Sequence, residues 1–224
     1  MGQMYMKSYN LQYYVDKLKS GERFSLARYG DGEMLCMWGK QGKNSNGCRY
    51  SPELREALLD SMKHKDDPSF IYGMQRVLPK DRERFEKEYP DIEFHDTEIF
   101  SEAVANGELY PFIEQLRKMR VATIYKRDPK HIIYNEQAYI TPPFDSYDER
   151  EQIKDFIKNS NCDVFLFSCG MGANAIIGEL HGKVNAFLID IGHIWDGFFG
   201  EMSRCDIEDK TIEDINKNLH EKTK

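Results

Sequence analysis

"CDVFLFSCGMGANAIIGEL", residues 162–180, decides the fold class. From Val164 to Phe167 no polar residue alternates with the apolar ones, and a strand of that kind is covered on both faces. The chain then turns through Gly170-Met171-Gly172 into the helical run MGANAIIGEL and returns as a second apolar strand, VNAFLID, at 184–190. Strand, helix and strand in that order build a parallel sheet. The expected fold is α/β, a Rossmann-like, mostly parallel sheet covered by helices on both faces.

Working toward the amino terminus, "TPPFDSYDEREQIKDFIKNS" (141–160) passes a double proline and becomes an amphipathic helix with Ile153, Phe156 and Ile157 inward. "RVATIY" (120–125) and "KHIIYN" (130–135) read as strands, with Asp128-Pro129 turning between them. "EIFSEAVANG" and "ELYPFIEQLRKM" read as helices, as does a charged stretch from Pro79 to Glu88 closed by Pro90. "SFIYGM" (69–74) and "RFSLARY" (23–29) are further strand candidates. Ser51-Pro52-Glu53 opens a helix with Leu54, Ala57, Leu58 and Met62 on its inner face, and Asp31 is placed to cap another. Leu11, Tyr14, Val15 and Leu18 share one face of a first helix that Gly21 stops, while the tail after Asp206 reads as a charged helix.

At 224 residues the chain suits one domain, expected over 1–224. Its 31 Lys and Arg against 38 Asp and Glu give a net charge of −7, which argues against nucleic acid as a partner. No stretch of 18 apolar residues occurs and the opening MGQMYMKSYN lacks the pattern of an export signal, so no membrane span is expected. Five cysteines without a Cys-x-x-Cys pair fit a reducing compartment rather than a disulfide framework. A cytoplasmic protein is expected, with room for a peripheral place at the inner membrane face.

Three constellations carry chemistry. In "RYGDGE" (28–33), Asp31 and Glu33 flank Gly32, and two carboxylates held together repel unless a cation sits between them. Mg2+ or Mn2+ accepts such oxygens and keeps positions for substrate phosphates, and Arg28 can pair with the carboxylates or with a phosphate. The competing reading is local: the two acids serve the start of a helix and Arg28 neutralises them. Gly170-Met171-Gly172-Ala173-Asn174-Ala175 fits the dinucleotide fingerprint after an apolar strand, with Asp190 at the end of the next one. Helix amides there could hold a pyrophosphate, yet too little chain follows Asp190 for the rest of a usual dinucleotide domain. "LIDIGHIWDGFFG" (188–200) sets Asp190, His193 and Asp196 beyond a buried strand, where either His193 or Asp196 could be a general base. Tyr13, Tyr14, Trp38, Tyr50 and Tyr72 could stack on a sugar or base or belong to the core, and Arg76, Lys126 and Arg127 could meet a diphosphate.

"SLARYGDGEM" and "FLFSCGMGANAIIGEL…NAFLIDIGHIW", with "ITPPFDSYDEREQIKDFI" between them, together resemble the GT-D-fold glycosyltransferases, formerly a domain of unknown function in bacterial glycan clusters. The resemblance implies a Rossmann-like fold and metal-dependent transfer of a sugar from a nucleotide donor, typically a UDP-sugar, to a glycan or glycoprotein in surface-glycan synthesis. It puts the metal, Mn2+ or Mg2+, on Asp31 and Glu33, with Glu33 also in the catalytic set. Arg28, Gly30, Gly170, Gly172, Ala173, Asn174 and Asp190 are then expected around the nucleotide. His193 or Asp196 is expected to deprotonate or orient the acceptor. The chain departs from the family at the Gly-rich turn, where Gly-Pro-Thr-Ala is usual, and at Trp195, where an acid is usual; Asp196 follows one step later. Residues 97–135 match the family poorly. Two other classes stay open: an NAD- or S-adenosylmethionine-dependent enzyme built on the Gly-rich turn, and a non-catalytic nucleotide-binding protein.

Overall fold

The computed structural model describes residues 6–75, 77–134 and 136–199. In chain order the elements are α1 (Leu11–Ser20), β1 (Ser25–Tyr29), α2 (Asp31–Met37), α3 (Pro52–Ser61), β2 (Phe70–Met74), α4 (Pro79–Glu88), β3 (Phe94–Asp96) and α5 (Ile99–Ala105). There follow α6 (Tyr110–Leu116), β4 (Val121–Tyr125), α7 (Lys130–Ile133), β5 (Gln137–Ile140), α8 (Arg150–Asn159), β6 (Val164–Ser168), α9 (Met171–Leu180) and β7 (Phe187–Asp190). Short 3-10 turns lie at Ser146–Glu149 and Asp196–Phe199, among others.

The strands form one sheet in the order β3-β2-β1-β7-β6-β4-β5, and every neighbouring pair is parallel. Successive side chains of a strand point to opposite faces, so each interior strand feeds two cores. Leu26, Ile71, Leu166 and Ile189 meet the apolar faces of α1, α5 and α6. Ala27, Tyr29, Phe165 and Phe167 meet α2, α3 and α9 on the other side. Each fully buried Leu or Phe contributes about 1.5–3 kcal/mol, which is why the continuous apolar strands could only settle between two helical layers. α3 opens where the sequence marks it, Ser51 accepting the Leu54 N–H at 3.1 Å, and Asn10 caps α1 by accepting the Tyr13 N–H at 3.2 Å.

Local readings are corrected at three places. Lys130–Ile133 is a helical turn, not a strand, because Asp128 accepts the Lys130 N–H at 3.0 Å after Pro129 and the turn buries Ile132 and Ile133 together. The strand of that region is β5, one turn later. β3 is short and pairs only with β2 in the sheet, a weak signal in sequence. Gly30, not Asp31, is the N-cap of α2, and the Glu33 carboxylate reaches back to accept the Gly30 N–H at 2.9 Å. The expected helix after Asp206, together with Arg76 and Cys205, lies outside the described residues. Cys36, Cys48, Cys162 and Cys169 are free thiols, and no described helix is long and apolar enough to cross a membrane.

The topology makes β1, β7 and β6 neighbours although they are far apart in sequence. Their carboxyl ends carry the three constellations. Pairing between β1 and β7 stops at Leu26↔Ile189, while β1 stays paired to β2 through Tyr29. The Arg28 backbone therefore lacks a strand partner on one side. Asn174 supplies it from α9: its Oδ1 accepts the Arg28 N–H at 2.8 Å and its Nδ2 donates to the Arg28 carbonyl at 2.7 Å. A side chain, not a strand, completes the ladder where the two halves of the sheet part.

Candidate active site at the carboxyl ends of β1, β6 and β7

Arg28 ends its strand inside the protein, only 3% exposed, and its nearest counter-charge is Asp190, 5% exposed. Arg28 Nε lies 3.5 Å from Asp190 Oδ2, too far for a good hydrogen bond, and that buried N–H has no hydrogen-bond partner among the described residues. Asp190 spends its other oxygen on the Gly192 N–H at 2.8 Å. Gly192, at φ +58°, is the one residue type that fits here: a Cβ would stand 1.8 Å from Arg28 Nη2. Burial raises the proton affinity of Asp190, against the opposing pull of Arg28 and of the Gly192 N–H.

Glu33 is 8% exposed. Burial pushes its carboxyl up to about 7; the Gly30 N–H pulls the other way, and the charges of Asp190 and Asp31 add to the rise. Its Oε1 lies 3.4 Å from Asn174 Nδ2. Asp31 is solvent-exposed and accepts the Gly32 N–H at 2.9 Å. Glu33 thus stands within electrostatic reach of both Asp31 and Asp190, and Asp190 lies beside the buried Arg28 guanidinium. No group of three His, Cys, Asp or Glu among the described residues forms a closed metal cage. A hard divalent cation takes one or two carboxylates and fills its other positions from phosphates and water.

Gly170 is exposed at φ +67° and starts α9, whose ten residues aim the positive end of their dipole at this site. Ala173 and Asn174 are buried in the first turn of that helix. Gly172 has another task. A Cβ there would stand 2.7 Å from Ser146 Oγ and 3.0 Å from the Tyr147 backbone N, so its missing side chain lets α9 close on the Ser146–Glu149 turn. Ser146 is itself tied to the Cys169 carbonyl at 2.6 Å.

His193 and Asp196 come together beyond β7. His193 Nδ1 lies 3.2 Å from Asp196 Oδ2; the histidine side chain is 30% exposed and the aspartate side chain 2%. The Tyr125 hydroxyl donates to Asp196 Oδ1, and Lys126 Nζ lies 3.4 Å from the same oxygen. Lys126, expected near a diphosphate, is therefore engaged with the aspartate. Tyr125 was invisible as a site residue in the sequence; the available signal was a polar atom on the last residue of an otherwise apolar strand. Tyr14 and Tyr72 belong to the core, Tyr13 and Trp38 are half-buried, and half-buried Tyr50 feels the charge of Asp31.

With this arrangement in view, the GT-D fold-like domain family matches residues 11–198. The chain belongs to that family. Two solved structures of domain of unknown function 1792 share the fold of this GT-D-like chain. One, a selenomethionine-substituted form, has a TM-score of 0.63 at 16% identity, covering 88% of this chain and 83% of that one. The second, described as having a distinct glycosyltransferase fold, has a TM-score of 0.59 at 15% identity with the same coverage. No curated protein sequence matches the chain.

Proposed function

We propose that this GT-D-like protein is a glycosyltransferase that moves a sugar from a nucleotide-diphosphate donor, a UDP-sugar, to a hydroxyl of a glycan or glycoprotein acceptor in bacterial surface-glycan synthesis in the cytoplasm. One observation carries the reading: Glu33 and Asp190 are buried carboxyls of raised proton affinity, gathered with Asp31, Arg28 and the start of α9 at the parting of β1 and β7. Ligands of open parallel sheets collect at such a place. Asp31 and Glu33 would hold Mn2+ or Mg2+, which when bound neutralises charge growing on a departing diphosphate. Arg28 adds a fixed cation on the same side, and the exposed Gly170 leaves helix amides open to a phosphate. Gly30, whose N–H fixes Glu33, orients that carboxylate rather than touching ligand. Asn174 and Asp190 hold β1 and Arg28 in place.

The competing dinucleotide reading needs the second glycine of the fingerprint open to a pyrophosphate, and Ser146 and Tyr147 crowd the side of Gly172 where a Cβ would stand. The test is calorimetric titration of UDP with and without Mn2+ on the wild-type chain and on Asp31→Asn/Glu33→Gln, where the glutamine keeps an acceptor for the Gly30 N–H. Metal-dependent binding that weakens at least a hundredfold in the variant, about 2.7 kcal/mol, is expected. Binding of NAD or S-adenosylmethionine without metal, and none of UDP, would sink the proposal. UDP-sugar binding without turnover on any acceptor, water included, would favour a non-catalytic protein.

A further inference from the structure

The contact between His193 and Asp196 separates two roles that the sequence left interchangeable. A group that takes a proton from an acceptor must be reachable, and one that orients it must be held. Asp196 is 1% exposed, and among the described residues the Tyr125 hydroxyl donates to its Oδ1, Lys126 Nζ lies 3.4 Å from the same oxygen at the carboxyl end of β4, and His193 Nδ1 lies 3.2 Å from Oδ2 on its own loop. Those donors replace the water that a buried carboxylate has lost. His193 is the exposed member, and the nitrogen facing Asp196 is Nδ1. A proton held on Nδ1 toward the carboxylate leaves the lone pair on Nε2 for the other side of the ring. The ring N–H is not yet in line with Asp196 Oδ2, as is common for catalytic pairs before substrate arrives.

We infer that His193 Nε2 is the general base of the transfer and that Asp196, Tyr125 and Lys126 are its positioning residues. The inference rests on the transferase reading above. In the step, the acceptor oxygen forms a bond to the anomeric carbon while that carbon's bond to the diphosphate oxygen breaks. The bonding pair leaves on the diphosphate, and the acceptor's proton passes to Nε2. Tyr125 and Lys126 act only through Asp196. They make β4, three strands from β1 in the sheet order, part of the catalytic unit. A spacing of three in a turn puts His193 and Asp196 side by side.

The experiment measures release of UDP and free sugar from UDP-glucose, UDP-galactose and UDP-N-acetylglucosamine with Mn2+, with water as acceptor. His193→Ala is expected to lower kcat by about 10²- to 10⁴-fold with UDP affinity intact, and added imidazole to restore part of it. Tyr125→Phe and Lys126→Met are expected to lower kcat by about tenfold or less at unchanged KM, since each removes one support of Asp196 and leaves the others. Asp196→Asn should fall between; because it is buried, the Tyr125 and Lys126 variants keep the inference testable if it does not fold. Wild-type turnover that survives His193→Ala overturns the inference and leaves the transferase standing. Variants of Tyr125 and Lys126 that lower thermal stability while kcat holds would make them structural and overturn their part. A wild-type chain that binds UDP with metal yet releases sugar from none of the donors defeats both.

Discussion

The two ends of the same parallel strands treat their carboxylates in opposite ways. At the amino ends, Asp163 receives Arg120 at 2.8 and 3.0 Å and Arg23 at 3.5 Å, and Asp67 meets His181 Nε2 at 3.0 Å while His181 Nδ1 meets Ser25 Oγ at 2.9 Å. Arg120 draws the Asp163 carboxyl below its usual range, and hydrogen bonds from Ser69, then His181, bring Asp67 to about 2. At the carboxyl ends burial wins: Glu33 rises to about 7 and Asp190 rises despite Arg28. The amino end is a finished ion-pair network open to water. The carboxyl end is a cluster of buried carboxyls of raised proton affinity around one guanidinium, and such clusters in a cleft are candidates for function.

Removing one arginine from each end should break that comparison most visibly. Arg28→Ala leaves Asp190 buried and unpaired, and urea denaturation should show a loss of about 3–5 kcal/mol. Arg120→Ala, at an exposed pair, should give the smallest change of all, a midpoint close to wild type. If the two losses are alike, the contrast between the ends is false.

The next largest effect is a pH dependence. Burial lowers His95, on β3, to about 4 from its ordinary 6.5. Its ring faces Tyr14 Oη at 3.4 Å and Glu93 at 3.9 Å, with Tyr9 and Tyr13 alongside. Between these values the unfolded chain binds a proton that the folded chain refuses, so His95 lowers stability as pH drops from about 6.5 toward 4, by up to about 3 kcal/mol, while Glu33, raised to about 7, adds stability over much of the same window. Thermal melts across that window on wild type and His95→Gln check it: the stability of wild type relative to the variant should fall as pH drops. Gly192→Ala comes third: a positive φ and the Arg28 guanidinium both oppose a methyl group, at about 1–3 kcal/mol, measured by the same denaturation. Loss of Mn2+-dependent UDP binding in that variant would confirm that Arg28 must stay where Gly192 lets it lie.

Much of this was legible in sequence because it depends on local order. The unalternating apolar strands from Val164 and from Phe187 could only be buried between helices, and the turn residues Ser51 and Gly21 mark helix ends by their own hydrogen bonds or backbone freedom. The acids of RYGDGE and the loop holding His193 were visible for the same reason: polar residues at the end of apolar strands. The strand misread at Lys130–Asn135 was lost because Ile132 and Ile133 suit either state, and Asp128 with Pro129 decided for a helix.

What only the tertiary structure decided is which strands are neighbours. Strand order is a matter of long-range packing, so no local pattern shows that Asn174 will finish the ladder of β1, that Gly172 will serve helix packing, or that Tyr125 will support Asp196. The sequence by itself determined that an α/β chain would carry charged knots at its strand ends. The fold determined that three of those knots share one place, because a parallel sheet brings the carboxyl ends of β1, β7 and β6 side by side.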